Sequence, residues 1–237
     1  MTITTEKKTV RELALEIPAA TRVFERLHID YCCGGNRPLD EACRAAGVSL
    51  DSVLNALESP EGAAAATRDW ATAPLTDLIG HIQTTHHAYT RDAIARIPLL
   101  LDKVCSKHGP NHPEVFRVRE HFAEVAQELA THMMKEEMVL FPYIARMEEA
   151  VLSGDPVIPP PFGTVANPVR MMIREHDNAG DELREIRAAS NGFTAPADAC
   201  ITFQTVYGAL AEFEADLHQH IHLENNILFP RAIAMEG

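Results

Sequence analysis

The chain has 237 residues, of which 46% are hydrophobic and 23% are charged, a composition typical of a globular protein with a sizeable core. Its formal net charge of −13 argues against nucleic acid and anionic lipid as partners. No apolar run is long enough to span a membrane, and the N-terminal sequence MTITTEKKTVREL lacks the apolar stretch of a signal peptide. We therefore expect a cytoplasmic protein with no membrane segment.

The N-terminal region, residues 1–57, is predicted to form a small helical domain. Thr9, followed three residues later by Glu12, is a capping-box pattern that marks the start of a helix. The glycine-rich turn CCGGNRP then precedes LDEACRAAGVSLDSVLNALES, whose apolar residues have helical spacing. Because about fifty residues enclose only a marginal core, we expect this domain to rest on the remaining chain or on another subunit, as in a homodimer formed through it.

Residues 58–73 are predicted to be a linker, since Pro60 and Gly62 interrupt any continuous helix. In the region that follows, 74–237, strand signals are scarce and apolar residues recur at helical spacing. Long helices with short connections favour an all-α fold, in which an antiparallel four-helix bundle follows the small helical domain. The four predicted helical segments are residues 74–104, 113–150, 165–189 and 197–235.

Two segments of the predicted bundle repeat both apolar and polar residues. HMMKEEMVLFP begins at His132, and HIHLENNILFP begins 88 positions later at His220. Each contains a glutamate four residues after its histidine, and each is preceded by a histidine 44 or 45 positions upstream. This pattern indicates a duplicated helical hairpin with pseudo-twofold symmetry. The repeated polar residues are His87, His132, Glu136, His176, His220 and Glu224.

Side chains at positions i and i+4 lie on one face of a helix, so each histidine–glutamate pair can point to one place inside the bundle. A single such pair is usually a surface ion pair, but two copies in register argue against that reading. A buried glutamate is costly unless a cation compensates it. Imidazole and carboxylate together suit iron, manganese or zinc. The symmetry predicts a site for two metal ions, with open positions for a small diatomic ligand, water or an oxo bridge.

Three further residues near the predicted ligands are candidates for a supporting role. Glu128 lies one turn before His132, and Glu175 adjoins His176, so either could orient a ligand or relay protons. Exposed helix carboxylates are an equally good reading of both. In the first helix, the phase of the apolar residues directs His86 toward the core more squarely than its neighbour His87.

The five cysteines, an odd number, do not form a secreted disulfide framework. Cys32 and Cys33 are adjacent and precede two glycines that permit an exposed turn, an arrangement suited to redox sensing or transient metal transfer by reduced thiols. The alternative is a pair of small apolar residues packed within the helical domain. The remaining cysteines read as inert helix or core residues: Cys43, Cys105 and Cys200.

Four stretches together resemble the bacterial iron–sulfur cluster repair di-iron proteins, the repair of iron centres family: IDYCCGGNRPLDEA, HMMKEEMVLFP, REHDNAG and HIHLENNILFP. The resemblance covers nearly the whole chain and implies that the bundle is hemerythrin-like. It implies a non-haem centre of two iron ions, oxo- or hydroxo-bridged, with four histidine and two bridging glutamate ligands. In that family the first ligand follows a tyrosine, whose place His86 takes here. The motif thus selects His87, whereas helical phase selects His86. The implied ligands are His87, His132, Glu136, His176, His220 and Glu224.

The resemblance also implies a function in stress. It predicts repair of iron–sulfur proteins damaged by nitric oxide or by oxidants, with iron supplied from a labile di-iron centre. Damaged iron–sulfur proteins would then be the partners, and nitric oxide or oxygen the small ligands. The alternatives at the same site are an enzyme that reduces nitric oxide to nitrous oxide, and a scavenger or sensor of nitric oxide.

Overall fold

The structure, a computed structural model, describes residues 8–17, 20–58 and 68–236. These residues contain helices and no strand, so the predicted all-α fold class is confirmed. Most of the predicted linker, residues 59–67, lies outside the described ranges. Within those ranges no helix combines the length and the apolar character needed to cross a membrane.

The chain divides into two compact units. The first unit comprises residues 1–74 and 218–231, and the second comprises residues 75–217 and 232–237. The division therefore falls within the last long helical segment, whose residues 218–231 pack with the N-terminal helices. The domain boundaries inferred from sequence, namely 1–57, 58–73 and 74–237, stay a prediction.

The first unit is built on short helices around a small apolar core. Thr9 caps the first helix: its side chain accepts a hydrogen bond from the Glu12 amide, and its own amide donates to the Glu12 carboxylate at 2.7 Å, which confirms the capping box. Fully buried Phe24 and Leu39 lie in this core, together with Tyr31, which directly precedes the glycine-rich turn. The helices are α1 (Val10–Glu16), α2 (Ala20–Arg26), α3 (Leu39–Ala46) and α4 (Leu50–Glu58).

The long helical segments predicted from sequence are present to within a few residues, although the first continues to His108 and the second to Ser153. The first two consist of α5 (Leu75–His81), a π-helical segment π1 (Ile82–His87), α6 (Ala88–His108), α7 (Glu114–Lys135), π2 (Glu136–Leu140) and α8 (Phe141–Ser153). The last two consist of α9 (Ala166–Ala189), α10 (Ile201–Leu223), π3 (Glu224–Leu228) and α11 (Phe229–Glu236).

The second unit is a helical bundle with an aromatic and aliphatic interior. Fully buried Phe122 of α7 meets fully buried Phe213 of α10, with ring centroids 5.3 Å apart. Buried Glu148 of α8 accepts hydrogen bonds from the amides of Leu75 and Thr76 at 2.5 and 2.8 Å, and so caps the start of α5. These contacts hold the long helices in register around the polar residues described next.

Candidate metal centre

A π-helical turn decides which histidine of the first helix faces the predicted ligands. In π1 the hydrogen bonds span one residue more than in an α-helix, so the phase of the following side chains shifts. His87 is wholly buried, and its Nε2 lies 3.3 Å from Oε2 of Glu136. His86, also buried, instead places Nδ1 3.0 Å from Oδ1 of Asp216. Regular helical phase selected His86 as the inward ring. That choice is wrong, because the ring that faces Glu136 is His87.

The end of α7 supplies the next two residues of the site. His132 and Glu136 are buried, and Nε2 of His132 lies 3.3 Å from the same Oε2 of Glu136 that His87 approaches. His176 of α9 is also buried, and its Nε2 lies 3.0 Å from Nε2 of His132. The ligand atoms of His132, Glu136 and His176 all lie within 4.8 Å of one another. The second unit thus brings together four of the six predicted ligands.

Carboxylates on the far side of two rings set the tautomer of those rings. Nδ1 of His87 lies 2.7 Å from Oε1 of Glu137, and Nδ1 of His132 lies 2.9 Å from Oε2 of Glu175. Because an ionised carboxylate can only accept, each Nδ1 donates, and each Nε2 presents its lone pair toward Glu136. Metal-binding histidines are oriented in this way by carboxylates.

Both outer carboxylates are held ionised by hydrogen bonds from their neighbours. The hydrogen bond from His132, followed by that from Lys135, lowers the pKa of Glu175 to about 2. Burial alone would raise the pKa of Glu137, but hydrogen bonds from Arg91 and His87 outweigh it, and the pKa lies below its usual range. Nη2 of Arg91 contacts both oxygens of Glu137 at 2.6 Å.

Of the two glutamates predicted from sequence to support the ligands, the structure places one against a ligand and the other on the surface. Glu175 lies against His132 as described, whereas Glu128 is exposed on α7. Sequence reasoning missed Glu137, although it adjoins Glu136. The duplication gave no signal for it, since the residue 88 positions later is Asn225.

The first unit contains the other two predicted ligands. His220 and Glu224 are wholly buried, and Nε2 of His220 lies 3.0 Å from Oε1 of Glu224. Glu224 begins π3 just as Glu136 begins π2, so the duplication extends to the π-helical distortion. Such distortions are frequent at functional sites.

The loop of the two adjacent cysteines is tied to the same segment. The side-chain amide of Asn226 donates to the Tyr31 carbonyl at 3.0 Å and lies 2.9 Å from Nδ1 of His222. Burial lowers the pKa of His222 to about 4, so the neutral ring accepts this hydrogen bond. Gly35 is required in this loop because an added Cβ would lie 2.8 Å from the Tyr31 carbonyl oxygen.

The two thiols are reduced and differ in exposure. Their sulfur atoms are 3.8 Å apart, and the amides of both residues donate to Oδ1 of Asp30 at 3.1 and 3.0 Å. Cys33 is partly exposed, but Cys32 is buried, so the expectation of an exposed turn is wrong for Cys32. The hydrogen bond with Cys33, burial and the nearby Asp30 raise the pKa of the Cys32 thiol.

The donor set fits a metal of the iron, manganese or zinc type. Within the second unit, His132, Glu136 and His176 form a group of buried side chains suited to a cation, and within the first unit His220 and Glu224 form a buried pair. Wholly buried carboxylates such as Glu136 and Glu224 are strongly disfavoured unless cations compensate them. The inward lone pairs of His87 and His132 supply the neutral nitrogen ligands that such a metal requires.

Comparisons with known proteins agree with this chemistry. Residues 78–232 match the family described as the hemerythrin HHE cation binding domain, and residues 6–61 match a domain of unknown function, DUF542. The iron–sulfur cluster repair protein YtfE of Pectobacterium atrosepticum is 35% identical over 95% of this chain and 96% of its own length. A probable iron–sulfur cluster repair protein of Haemophilus influenzae is 35% identical over 94% of this chain and 95% of its own length. The chain therefore belongs to the family of iron–sulfur cluster repair proteins, and it joins this N-terminal domain to a hemerythrin-type cation-binding domain.

Proposed function

We propose that this protein repairs iron–sulfur clusters damaged by nitrosative or oxidative stress, and that it does so by supplying iron from a centre of two iron ions. The observation that carries the proposal is the set of buried Nε2 atoms directed at Glu136, with the opposite nitrogens of His87 and His132 tied to carboxylates. Such rings are prepared as ligands before any metal binds. Repair is the activity for which the similar proteins are named.

The proposed centre combines both halves of the duplication. Each half contributes two histidines and one glutamate, and each glutamate begins a π-helical segment. Equal donor sets favour two metal ions over one, and the histidines together with the two carboxylates would hold them. When bound, the iron supplies redox and ligand-binding chemistry, and it is also the cargo in repair. The six proposed ligands are His87, His132, Glu136, His176, His220 and Glu224.

The protein's own residues would control release of the iron. Oε2 of Glu136 lies 3.3 Å from both His87 and His132, so it is placed to hold cations between the two rings. The outer carboxylates fix those rings, and protonation or displacement of these carboxylates would weaken the nitrogen ligands. Retention of iron therefore depends on hydrogen bonds outside the immediate donor set.

We propose that the thiols of Cys32 and Cys33 pass iron to acceptors or respond to redox state. Thiolates are suitable ligands for iron in transit. Within the first unit, Asn226 attaches this loop to the segment that contains His220 and Glu224. Iron-loaded protein with both cysteines changed to serine should keep its iron but deliver it more slowly. An unchanged repair rate would remove the thiols from the proposal.

The N-terminal homodimer also stays a proposal, which light scattering of the purified protein tests.

The centre is tested by metal analysis and a Mössbauer spectrum of protein purified anaerobically and loaded with iron. We expect two irons per chain with the signature of a coupled pair. A single iron, or two uncoupled irons, would contradict the proposed centre.

Repair is tested on an iron–sulfur enzyme inactivated by nitric oxide. Iron-loaded wild type should restore its activity, whereas the Glu136→Leu variant and metal-free wild type should not. Glu120→Leu, which changes an exposed glutamate of α7, the helix that leads into Glu136, is the matched control and should behave as wild type. Equal repair by metal-free protein would refute iron donation. Nitrous oxide formed over many turnovers without repair would instead establish a nitric oxide reductase.

A further inference from the structure

A second cluster of reactive side chains lies within the second unit, where α6 ends and α10 begins. Cys200 directly precedes α10, and His108 is the last residue of α6. Sγ of Cys200 lies 3.1 Å from Nε2 of His108, within hydrogen-bond distance. Cys200 is exposed, whereas Cys43 and Cys105 are buried, and burial raises the pKa of both of those thiols.

The local fold holds the His108 ring in this position. Its ring centroid lies 5.3 Å from that of Phe203, which is wholly buried. The turn after His108 requires Gly109, because an added Cβ would lie 2.4 Å from the Cys105 carbonyl oxygen and 2.5 Å from the Phe116 ring. The imidazole is thus anchored on the core rather than free in solvent.

A second imidazole ties together the two loops that contain this pair. Nε2 of His112 lies 3.1 and 3.2 Å from the two carboxylate oxygens of Asp198, two residues before Cys200. The hydrogen bond with His112 lowers the pKa of Asp198, so the carboxylate that forms this tie is ionised at neutral pH. The ring of His112 also packs against Phe203, with centroids 5.6 Å apart. The packing of His108 on Phe203 and the hydrogen bonds between His112 and Asp198 therefore keep Cys200 next to His108.

We propose that Cys200 and His108 form a nucleophilic thiol site that reacts with hydrogen peroxide and is converted to a sulfenic acid. The thiolate is the reactive form of cysteine, and an adjacent imidazole base generates it. An exposed thiolate near a fixed base is the site that small oxidants modify first. This site shares no residue with the proposed metal centre.

The reaction balances without any further reactant. The Cys200 thiol gives its proton to Nε2 of His108, and the resulting thiolate attacks one oxygen of the peroxide. An S–O bond forms while the O–O bond breaks, so the sulfur loses two electrons and the peroxide gains them. The departing hydroxide takes the proton from His108 and leaves as water. Cys200 is then a sulfenic acid, and His108 is neutral again.

The first test measures nucleophilicity in the full-length protein. Wild type is treated with iodoacetamide at neutral pH, and alkylation of each cysteine is followed by peptide mass spectrometry. We expect Cys200 to react about tenfold faster than glutathione added to the same mixture, because an unassisted thiol is only a few per cent thiolate at this pH. Equal rates for Cys200 and glutathione would overturn the proposal, whatever the variants do.

The second test removes the base. His108→Asn should slow alkylation of Cys200 about tenfold and leave Cys33 unchanged. His121→Asn is the matched control, since it removes an imidazole that is paired with Glu182 on the same bundle. If His108→Asn unfolds the protein, Asp198→Asn provides a second test. It weakens the hydrogen bond between His112 and Asp198, so the alkylation of Cys200 should also become slower. No change at Cys200 in a folded His108 variant would overturn the role of His108.

The third test follows the product. Iron-loaded protein is given less than one equivalent of hydrogen peroxide with dimedone, which traps sulfenic acids. We expect the label at Cys200 in wild type and several-fold less in His108→Asn. Oxidation caused by bound iron affects both proteins equally, because the proposed metal ligands are the same. Equal labelling of Cys200 in the two proteins would exclude the imidazole-assisted reaction.

Discussion

Replacement of Glu175 by glutamine tests whether the outer carboxylates prepare the histidines for metal. The carboxylate accepts a hydrogen bond from Nδ1 of His132 at 2.9 Å and another from Lys135. A glutamine side chain can still accept one hydrogen bond, but it has no charge to stabilise the Nδ1–H tautomer. Replacement of such outer partners lowers metal affinity about 10- to 100-fold. We expect the affinity of Glu175→Gln for iron to fall by this factor.

The contribution of the Glu175 carboxylate to the free energy of unfolding follows from its pKa, which is lowered from 4.5 to about 2. At about 1.4 kcal/mol per pKa unit this corresponds to at most roughly 3–4 kcal/mol. The side chain keeps 24% of its surface exposed, and solvent screening reduces the contribution to about 1–2 kcal/mol. Because the folded-state pKa is lowered, this stability is fully present above about pH 4.5 and is lost as the pH falls toward 2.

The assay has two parts, each with a matched control. Competition with a chelator at neutral pH measures iron affinity, and urea unfolding of the metal-free protein at several pH values measures stability. Glu185→Gln, at an exposed position of the same helix, should change neither by more than about 0.5 kcal/mol. Wild-type iron affinity in Glu175→Gln would refute the argument that this carboxylate prepares His132.

Three further predictions concern particular side chains. His87→Asn should abolish binding of the second iron, whereas His86→Asn should retain both, as measured by metal analysis; the opposite result would restore the phase-based choice. Asn226→Ala should destabilise the first unit by about 1–3 kcal/mol, because the buried Tyr31 carbonyl loses its donor; hydrogen exchange in α1–α4 measures this, and unchanged protection would contradict it. Gly35→Ala should destabilise the same unit by about 1–3 kcal/mol through its contact with the Tyr31 carbonyl, and wild-type unfolding in urea would refute that expectation.

The all-α class and the extents of the long helices could be predicted because they rest on local signals. Apolar periodicity, the Thr9 cap and the proline-rich interruptions act over a few residues, and the chain obeys them. The duplicated histidines and glutamates were equally visible, since a repeat is a property of the sequence. The grouping of residues 218–231 with the N-terminal helices had no such signal, because it depends on contacts such as that of Asn226 with Tyr31 across 195 positions.

The phase of the first helix could not be predicted because regular periodicity assumes 3.6 residues per turn. The π-helical turn at Ile82–His87 departs from that period, so His87 faces Glu136 while His86 faces Asp216. Glu137 was missed for a related reason. Its role depends on the position of His87, which lies 50 residues away in sequence.

The sequence by itself determined the helices, the duplication and the chemical types of the proposed ligands, since each depends on residue identity and local spacing. Only the tertiary structure decided which carboxylates orient His87 and His132, and that Cys32 is buried while Cys200 is exposed beside His108. Those features join residues from separate helices, and their hydrogen bonds form only once packing has set the distance between the helices. The same aliphatic and aromatic periodicity would allow several such pairings, and packing selects one of them.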